Sequence, residues 1–219
     1  MNGSKRLIGI AGDAGVGKDT AAAIILDELG GGMRIGLADP IKAFCETVLG
    51  WSPEHTHGPS EMREKADPKG RRRADGELLT IRHGLRALGV AWGRSCYPDV
   101  WVDFFRHRYR IFRRSGLCPD ALGIQSTYDD PAQVVVVPDV RFANDAAGII
   151  EEGGEIWQIV RPDPAEVPRS QIDADGYVTV HVSKRRCESE VDPYVSHVIC
   201  NDGTLEDLRC KIQLALAVL

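Results

Sequence analysis

The chain has 219 residues, 43% hydrophobic and 27% charged, the profile of a soluble globular protein large enough for one α/β domain with insertions. No apolar run approaches the roughly 20 residues of a membrane-spanning helix. A net charge of −5 argues against broad nucleic-acid binding. The first residues, MNGSKRLIGIAGD, show no cleavage region, so the expected location is the cytoplasm in which the chain is made.

Residues 7 to 29, LIGIAGDAGVGKDTAAAIILDEL, predict a buried strand, a glycine-rich loop and a helix that opens at Lys18. Leu7 to Ala11 is the apolar run, and Ala22, Ile25, Leu26 and Leu29 recur at helical spacing. Gly12, Asp13, Ala14, Gly15, Val16, Gly17 and Lys18 fit the phosphate-binding pattern GxxxxGK. In that pattern backbone N–H groups and the helix N-terminus face phosphate oxygens, and the lysine reaches the β and γ phosphates. A Ser or Thr normally follows the lysine as a Mg²⁺ ligand. Here Asp19 stands in that place and Thr20 comes next. A carboxylate beside polyphosphate requires a cation or water between them, so Asp19 is a candidate for hydrated Mg²⁺ and Thr20 for a phosphate contact.

Glycines 30 to 32 end the helix, and MRIGLA predicts a second strand. Asp39-Pro40 then predicts a capped helix over IKAFCETVLGW, which puts Asp39 and Lys42 at the carboxyl edge of a parallel sheet, where ligands bind. Residues 52 to 79 are polar and Pro-rich and read as an insertion; the pair His55-x-His57 within it lacks zinc spacing and reads as polar loop. Leu78 to Trp92 predicts a helix carrying Arg82 and Arg86, followed by Gly93 and Arg94, with Trp92 a possible flat wall for a base. Residues 99 to 115 put Trp101, Phe104, Phe105, Tyr109 and Phe112 on one side of a helix, for the core or for a second copy of the chain.

Gln133 to Val137 predicts a central parallel strand. It ends in PDVRFAND, where Asp139 is a candidate second acidic group for Mg²⁺ and Arg141 a candidate phosphate clamp. A helix over Ala143 to Glu152 and strands over Glu155 to Val160 and Val195 to Cys200 follow. Between those strands, residues 161 to 190 read as a second insertion with a small hairpin around Ala174 to Val182. The last helix repeats Leu205, Leu208, Ile212, Leu216 and Leu219. The six cysteines form no CxxC pair and read as reduced thiols, several of them buried. Two basic islands, 63 to 73 and 106 to 114, read as a solvated face, a site for small phosphates or a nucleic-acid footprint.

The expectation from these patterns is an α/β P-loop NTPase fold with a five-stranded parallel sheet, a single domain over 1 to 219 with insertions at about 52 to 79 and 161 to 190. No guanine-reading Asn-Lys-x-Asp or Thr-Lys-x-Asp motif is present, and the two insertions suit covers that exclude water during phosphoryl transfer, so a small kinase is favoured.

Six motifs, GDAGVGKDT (12 to 20), LADPIKAF (37 to 44), RHGLRALGVAWGRSCYPDVWV (82 to 102), PDVRFANDA (138 to 146), ESEVD (188 to 192) and NDGTLEDL (201 to 208), together resemble the deoxynucleoside monophosphate kinases of tailed bacteriophages. That family lies within the nucleoside monophosphate kinase group of P-loop proteins. The resemblance implies a nucleoside-kinase-like three-layer sandwich, with ATP and Mg²⁺ as cofactors and a deoxynucleoside 5′-monophosphate (dNMP) as acceptor. It implies that Gly12 to Thr20 cradle ATP, that Asp39 acts near the acceptor phosphate or the metal's water, that Lys42 assists the acceptor phosphate, and that Trp92, Gly93 and Arg94 belong to the acceptor pocket. Arg141 would clamp the acceptor phosphate, Asn144 would touch its sugar or base, and Asn201 and Gly203 would lie by the adenine. A lid arginine would come from Arg161, Arg169 or Arg185. Ala91 and Ala87 depart from the acidic residue and the glutamine common in relatives, a difference that bears on base choice. Relatives form dimers, so a homodimer in the host-cell cytoplasm, without stable nucleic acid or membrane, is the implied setting. The alternatives are a kinase for another small phosphorylated acceptor and a DNA-stimulated ATPase.

Overall fold

The computed structural model describes residues 6–115, 134–161 and 190–218, together with the backbone of four two-residue strands outside those spans. In chain order the elements begin with β1 (Arg6–Ala11), α1 (Lys18–Glu28), β2 (Met33–Arg34), α2 (Asp39–Phe44), a π-helical turn (Cys45–Leu49), α3 (Pro53–His57) and α4 (Ser60–Glu64). Next come α5 (Ile81–Arg86), a second π-helical turn (Ala87–Arg94), α6 (Val100–Ser115), β3 (Cys118–Pro119), β4 (Gln125–Ser126), β5 (Val134–Val140), α7 (Ala143–Glu151) and β6 (Glu155–Val160). The chain closes with β7 (Gln171–Ile172), β8 (Val178–Thr179), a 3₁₀ turn (Asp192–Tyr194), β9 (Val195–Cys200) and α8 (Leu205–Ala217). The chain divides into two compact units, Met1–Arg34 with Gln133–Leu219, and Ile35–Ala132.

The first unit is built on a five-stranded sheet of order β2-β5-β1-β6-β9 in which every pairing is parallel. A parallel sheet needs both faces covered, so its central strands are apolar along their length. Val134 to Val137 are accordingly 0% exposed. On one face Ile8, Ile10, Val134, Val136 and Ile159 pack with Ile24 and Ile25 of α1 and with Leu208 and Ile212 of α8. On the other face Gly9 makes room for α7: a β carbon there would lie 2.8 Å from the Ile149 δ1 methyl. Helix, sheet and helix make the three-layer α/β sandwich of P-loop kinases. The second strand is shorter than MRIGLA: pairing ends at Arg34, and two residues separate it from the turn at Leu37 and Ala38. The hairpin in the second insertion pairs Gln171 and Ile172 with Thr179 and Val178, upstream of the expected position. Leu205 opens α8 but is 62% exposed; Leu208, Ile212 and Leu216 carry its buried face.

The second unit is helical. Cys45, Trp51 and Ile81 form its buried centre, with Leu49, Leu79, Leu85 and Leu88 packed around them. Residues 52 to 79, expected as an irregular insertion, are organised by a buried carboxylate. Asp67 accepts from Trp51 Nε1 (2.6 Å), from the backbone N–H of Lys69 (3.1 Å) and from the backbone N–H and Nε of Arg71 (both 3.0 Å). Arg71 also donates to the Leu49 carbonyl at 2.8 Å. His55 and His57 lie on α3 instead of in a loop, because Ser52 and His55 bond each other across its first turn. The helix expected over Leu78 to Trp92 starts only at Ile81 and widens into the π-helical turn after Arg86. There the Gly89 carbonyl accepts from Trp101 Nε1 at 2.8 Å, an inserted partner of the kind that widens a helix. The aromatic face of α6 is buried within the protein itself, with Phe105 and Phe112 at 0% exposure and Phe105 stacked on Tyr109.

Candidate functional site: a phosphate loop and a basic cleft

The loop between β1 and α1 takes its shape from three glycines. Gly12, Gly15 and Gly17 have φ of 137°, 81° and 101°, in the region that side chains resist. At Gly12 a β carbon would also lie 2.3 Å from the Ile159 carbonyl oxygen, so β6 excludes a side chain there. Gly17 precedes the first turn of α1, and no side chain caps that helix, an arrangement suited to an anion at its first N–H groups. Lys18 Nζ lies back across the loop, donating to the carbonyls of Gly12 (2.7 Å) and Asp13 (2.5 Å).

Burial, then the Arg141 guanidinium, pull the Lys18 ammonium below the ordinary lysine pKa, while Asp19, Asp13 and Asp139 pull it up. Lys18 thus shares one electrostatic neighbourhood with Arg141 and Asp139, which come from the carboxyl end of the neighbouring strand β5. Asp19 is three-quarters exposed and receives Arg34 at 3.4 Å. Arg34 was not foreseen; a lone arginine ending a two-residue strand carries no motif. Asp145, also unforeseen, is 2% exposed and accepts from the backbone N–H groups of Arg141 (3.2 Å) and Phe142 (3.0 Å). It fixes the β5–α7 turn that presents Arg141, with Asn144 beside it on α7. Asn201, 8% exposed, donates to the Val16 carbonyl at 2.8 Å, and Arg161 Nε donates to the Asn201 carbonyl at 3.4 Å. Gly203 lies in the turn before α8, where a β carbon would meet the Asp207 carboxylate at 2.4 Å. Arg169 and Arg185, two of the three lid candidates, lie outside the described residues.

The remaining candidates belong to the second unit. Asp39 does not cap α2 through its side chain, because Ala38 holds the cap position. Instead its carboxylate accepts the Gly36 N–H at 2.7 Å and faces Lys42 at 3.8 Å. A cleft of about 580 Å³ is lined by Arg73, Arg82, Arg86 and His83, with Thr80, Glu64, Ala87, Val90 and Ala91 completing its wall. Three guanidiniums and two small apolar positions make a surface for an anion attached to a flat organic group. Arg82 pairs with Glu64, and Arg73 pairs with Asp75 at 2.6 Å. Ala87 and Ala91, the two departures from the family pattern, both line this cleft. Trp92 continues the same turn and is 59% exposed. Gly93 is a packing residue, since a β carbon would lie 2.3 Å from Trp101 Cζ2, and Arg94 donates to the Pro98 carbonyl at 3.2 Å.

Both basic islands engage their own unit. Arg71 and Arg73 hold Asp67 and Asp75, Arg72 donates to the Gly76 carbonyl, and Arg108 and Arg113 stack over Phe104 and Tyr109. No helix among the described residues is long and apolar enough to cross a membrane. Among the described residues no three His, Cys, Asp or Glu side chains converge on a metal site. Cys45 is a buried free thiol and Cys200 a half-buried one, while Cys96 and Cys210 are exposed.

A protein of Acanthamoeba polyphaga mimivirus named "Putative deoxynucleotide monophosphate kinase" is 30% identical over 186 residues, which cover 80% of this chain and 88% of the viral one. The chain therefore belongs to the P-loop nucleotide kinase family of that viral protein, and its chemistry is of the kinase type. No protein-family model matches the chain. Among solved structures, TT1252 from Thermus thermophilus superimposes with a TM-score of 0.47 at 18% identity, covering 98% of this chain and 97% of its own. A dephospho-CoA kinase from Campylobacter jejuni gives 0.42 at 13% identity with the same coverage. The fold assignment stands on the strand order and loop of this chain.

Proposed function

We propose that the protein transfers the γ-phosphoryl group of ATP to a deoxynucleoside 5′-monophosphate, giving ADP and the deoxynucleoside diphosphate. The observation that carries this reading is the shared neighbourhood of Lys18, Arg141 and Asp139 at the carboxyl ends of β1 and β5. An acceptor phosphate oxygen attacks the γ phosphorus, and the bond from that phosphorus to the β–γ bridging oxygen breaks, leaving ADP. The acceptor is already anionic near neutral pH, so no general base is required. The work left to the protein is alignment, charge neutralisation and exclusion of water.

Lys18 leaves the Gly12 and Asp13 carbonyls to bridge the transferring group, and the loop N–H groups hold the phosphates behind it. Arg141 neutralises the acceptor phosphate, with Asn144 on its sugar or base. A magnesium ion would add charge neutralisation. Asp19 and Asp139, both within electrostatic reach of Lys18, would hold it through water, with Thr20 on a phosphate. Asp39, Lys42, Arg82 and the Trp92-Gly93-Arg94 turn act on the acceptor side, where the basic cleft supplies two further candidates, Arg73 and Arg86. The lid arginine that meets ATP comes from Arg161, Arg169 or Arg185. The name of the viral relative supports the choice of acceptor.

The test is diphosphate production from Mg²⁺-ATP with a panel of dNMPs, NMPs and non-nucleotide phosphates. Turnover of dNMPs that disappears in Lys18→Ala and Arg141→Ala is expected. Turnover of a non-nucleotide acceptor alone, or ATP hydrolysis raised by DNA without any transfer, would sink the proposal.

A further inference from the structure

The side chain that ties the phosphate loop to the far end of the chain is Asn201. It follows β9 in sequence, 185 residues from Val16, and its Nδ2 donates to the Val16 carbonyl at 2.8 Å in a buried setting. Its own backbone N–H donates to the Val160 carbonyl at 2.7 Å, so the residue is anchored to the end of β6. Its position is set closely as well, since a β carbon on Gly17 would fall 2.6 Å from Nδ2.

A trans peptide is planar, and its C=O and the following N–H point in opposite directions. All peptide bonds of the described residues are trans. Holding the Val16 oxygen toward Asn201 therefore turns the Gly17 N–H the other way, away from β9. On one side that peptide meets Gly17, whose φ of 101° is open to a glycine's wide range of backbone angles, and on the other it meets Val16. Glycine permits the loop's shape, but it does not by itself select one orientation of the peptide. The bond from Asn201 does.

We infer that Asn201 is a positioning residue, which acts through the Val16–Gly17 peptide to aim the Gly17 N–H at the nucleotide's polyphosphate, and that it does not read the base. The inference rests on the phosphate-loop reading above and assigns Asn201 a place within it. It carries a consequence that an adenine contact would not: the effect of losing the side chain must be independent of the base.

The experiment measures binding of Mg²⁺-ATP, Mg²⁺-GTP and Mg²⁺-tripolyphosphate, which has no base, to the full chain and to Asn201→Ala and Asn201→Leu, with thermal melting run on each. Both variants are expected to weaken all three ligands by a common factor, roughly tenfold, the loss of one charge-assisted hydrogen bond. The wild-type protein labelled with ¹⁵N-glycine gives a reading that does not depend on the variants folding. Tripolyphosphate should move the Gly17 amide resonance to lower field. Weakened ATP binding with unchanged tripolyphosphate binding would assign Asn201 to the base and overturn the inference. Unchanged binding of all three, or an unmoved Gly17 amide in a protein that does bind tripolyphosphate, would overturn it too. A wild-type protein that binds none of the three ligands would overturn the phosphate-loop reading itself, and the inference with it.

Discussion

The phosphate loop of the first unit and the Asp67 segment of the second are both polar stretches that the chain holds in one conformation by different means. In the loop the constraint is backbone geometry: three glycines with positive φ and a carbonyl of β6 that leaves no room for a side chain at Gly12. In the 52 to 79 segment the constraint is a single side chain, a carboxylate with no exposed area that gathers Trp51, Lys69 and Arg71. A motif written in the backbone survives substitution of its functional side chain. A segment written around one carboxylate does not.

The largest effect expected from that difference is Lys18→Ala. Phosphoryl transfer should fall by roughly 10³-fold, as when a single preorganised cationic or hydrogen-bonding group is removed from a transferring centre. Melting temperature should stay unchanged, since the loop's glycines and the Asn201 bond remain. A variant that melts well below the wild type would show that Lys18, through the Gly12 and Asp13 carbonyls, is part of what shapes the loop.

Asp67→Ala should do the reverse. It leaves buried donors from Trp51 and two backbone N–H groups without an acceptor, at a cost of roughly 2–4 kcal/mol in urea unfolding. Phosphate binding by the first unit should persist at temperatures where the variant is still folded. The same carboxyl sets a pH dependence. Hydrogen bonds from Arg71, then from Trp51, hold its pKa well below the usual carboxylate value, against burial, which pushes it up. The native state then binds fewer protons than the unfolded one. The stabilisation is fully present above the unfolded pKa of about 4 and is lost as pH falls through the lower folded value. Asp67→Asn should flatten that acid limb; an unaltered limb below about pH 4 would mean that the segment is held by something else.

The two regions also differ in how far a sequence discloses them. GxxxxGK announces the loop because local backbone requirements select particular residues at fixed spacing, and the four-valine strand announces the sheet's centre for a similar reason. The position of Arg141 and Asp139 at a strand's carboxyl end follows from the same local reading. Asp67 has no such signature. Its partners are Trp51, 16 positions earlier, and Arg71, four later, inside a stretch whose composition reads only as polar. Asp145 and Asn201 lie within family motifs, but their bonds to backbone groups, three and four residues away for Asp145 and 185 away for Asn201, follow from no residue type or spacing. The π-helical turn at Ala87–Arg94 was also hidden, because the insertion of Trp101 opposite Gly89 is a tertiary event that 3.6-residue periodicity cannot register. The arginines of the basic cleft stood in plain view as types but not as a group, because Arg73 reaches Arg82 and Arg86 only through the fold of the Asp67 segment.

That last dependence gives the smallest effect and the sharpest comparison. Arg86→Ala should raise the KM for the dNMP acceptor by roughly tenfold, the contribution of one guanidinium–phosphate contact in a site that keeps its other arginines. The KM for ATP should be unmoved, since the phosphate loop proposed to hold it belongs to the other unit. Arg73→Ala should behave alike, although its partner Asp75 is then also released. Asp67→Ala, assayed below its melting transition, should reproduce the Arg73→Ala change in acceptor KM, because Arg73 occupies the cleft only while Asp67 and Arg71 hold the segment that carries it. If Asp67→Ala leaves the acceptor KM at the wild-type value while destabilising the protein, the segment serves stability alone. If instead it moves both KM values together, the effect of the Asp67 segment is not confined to the acceptor.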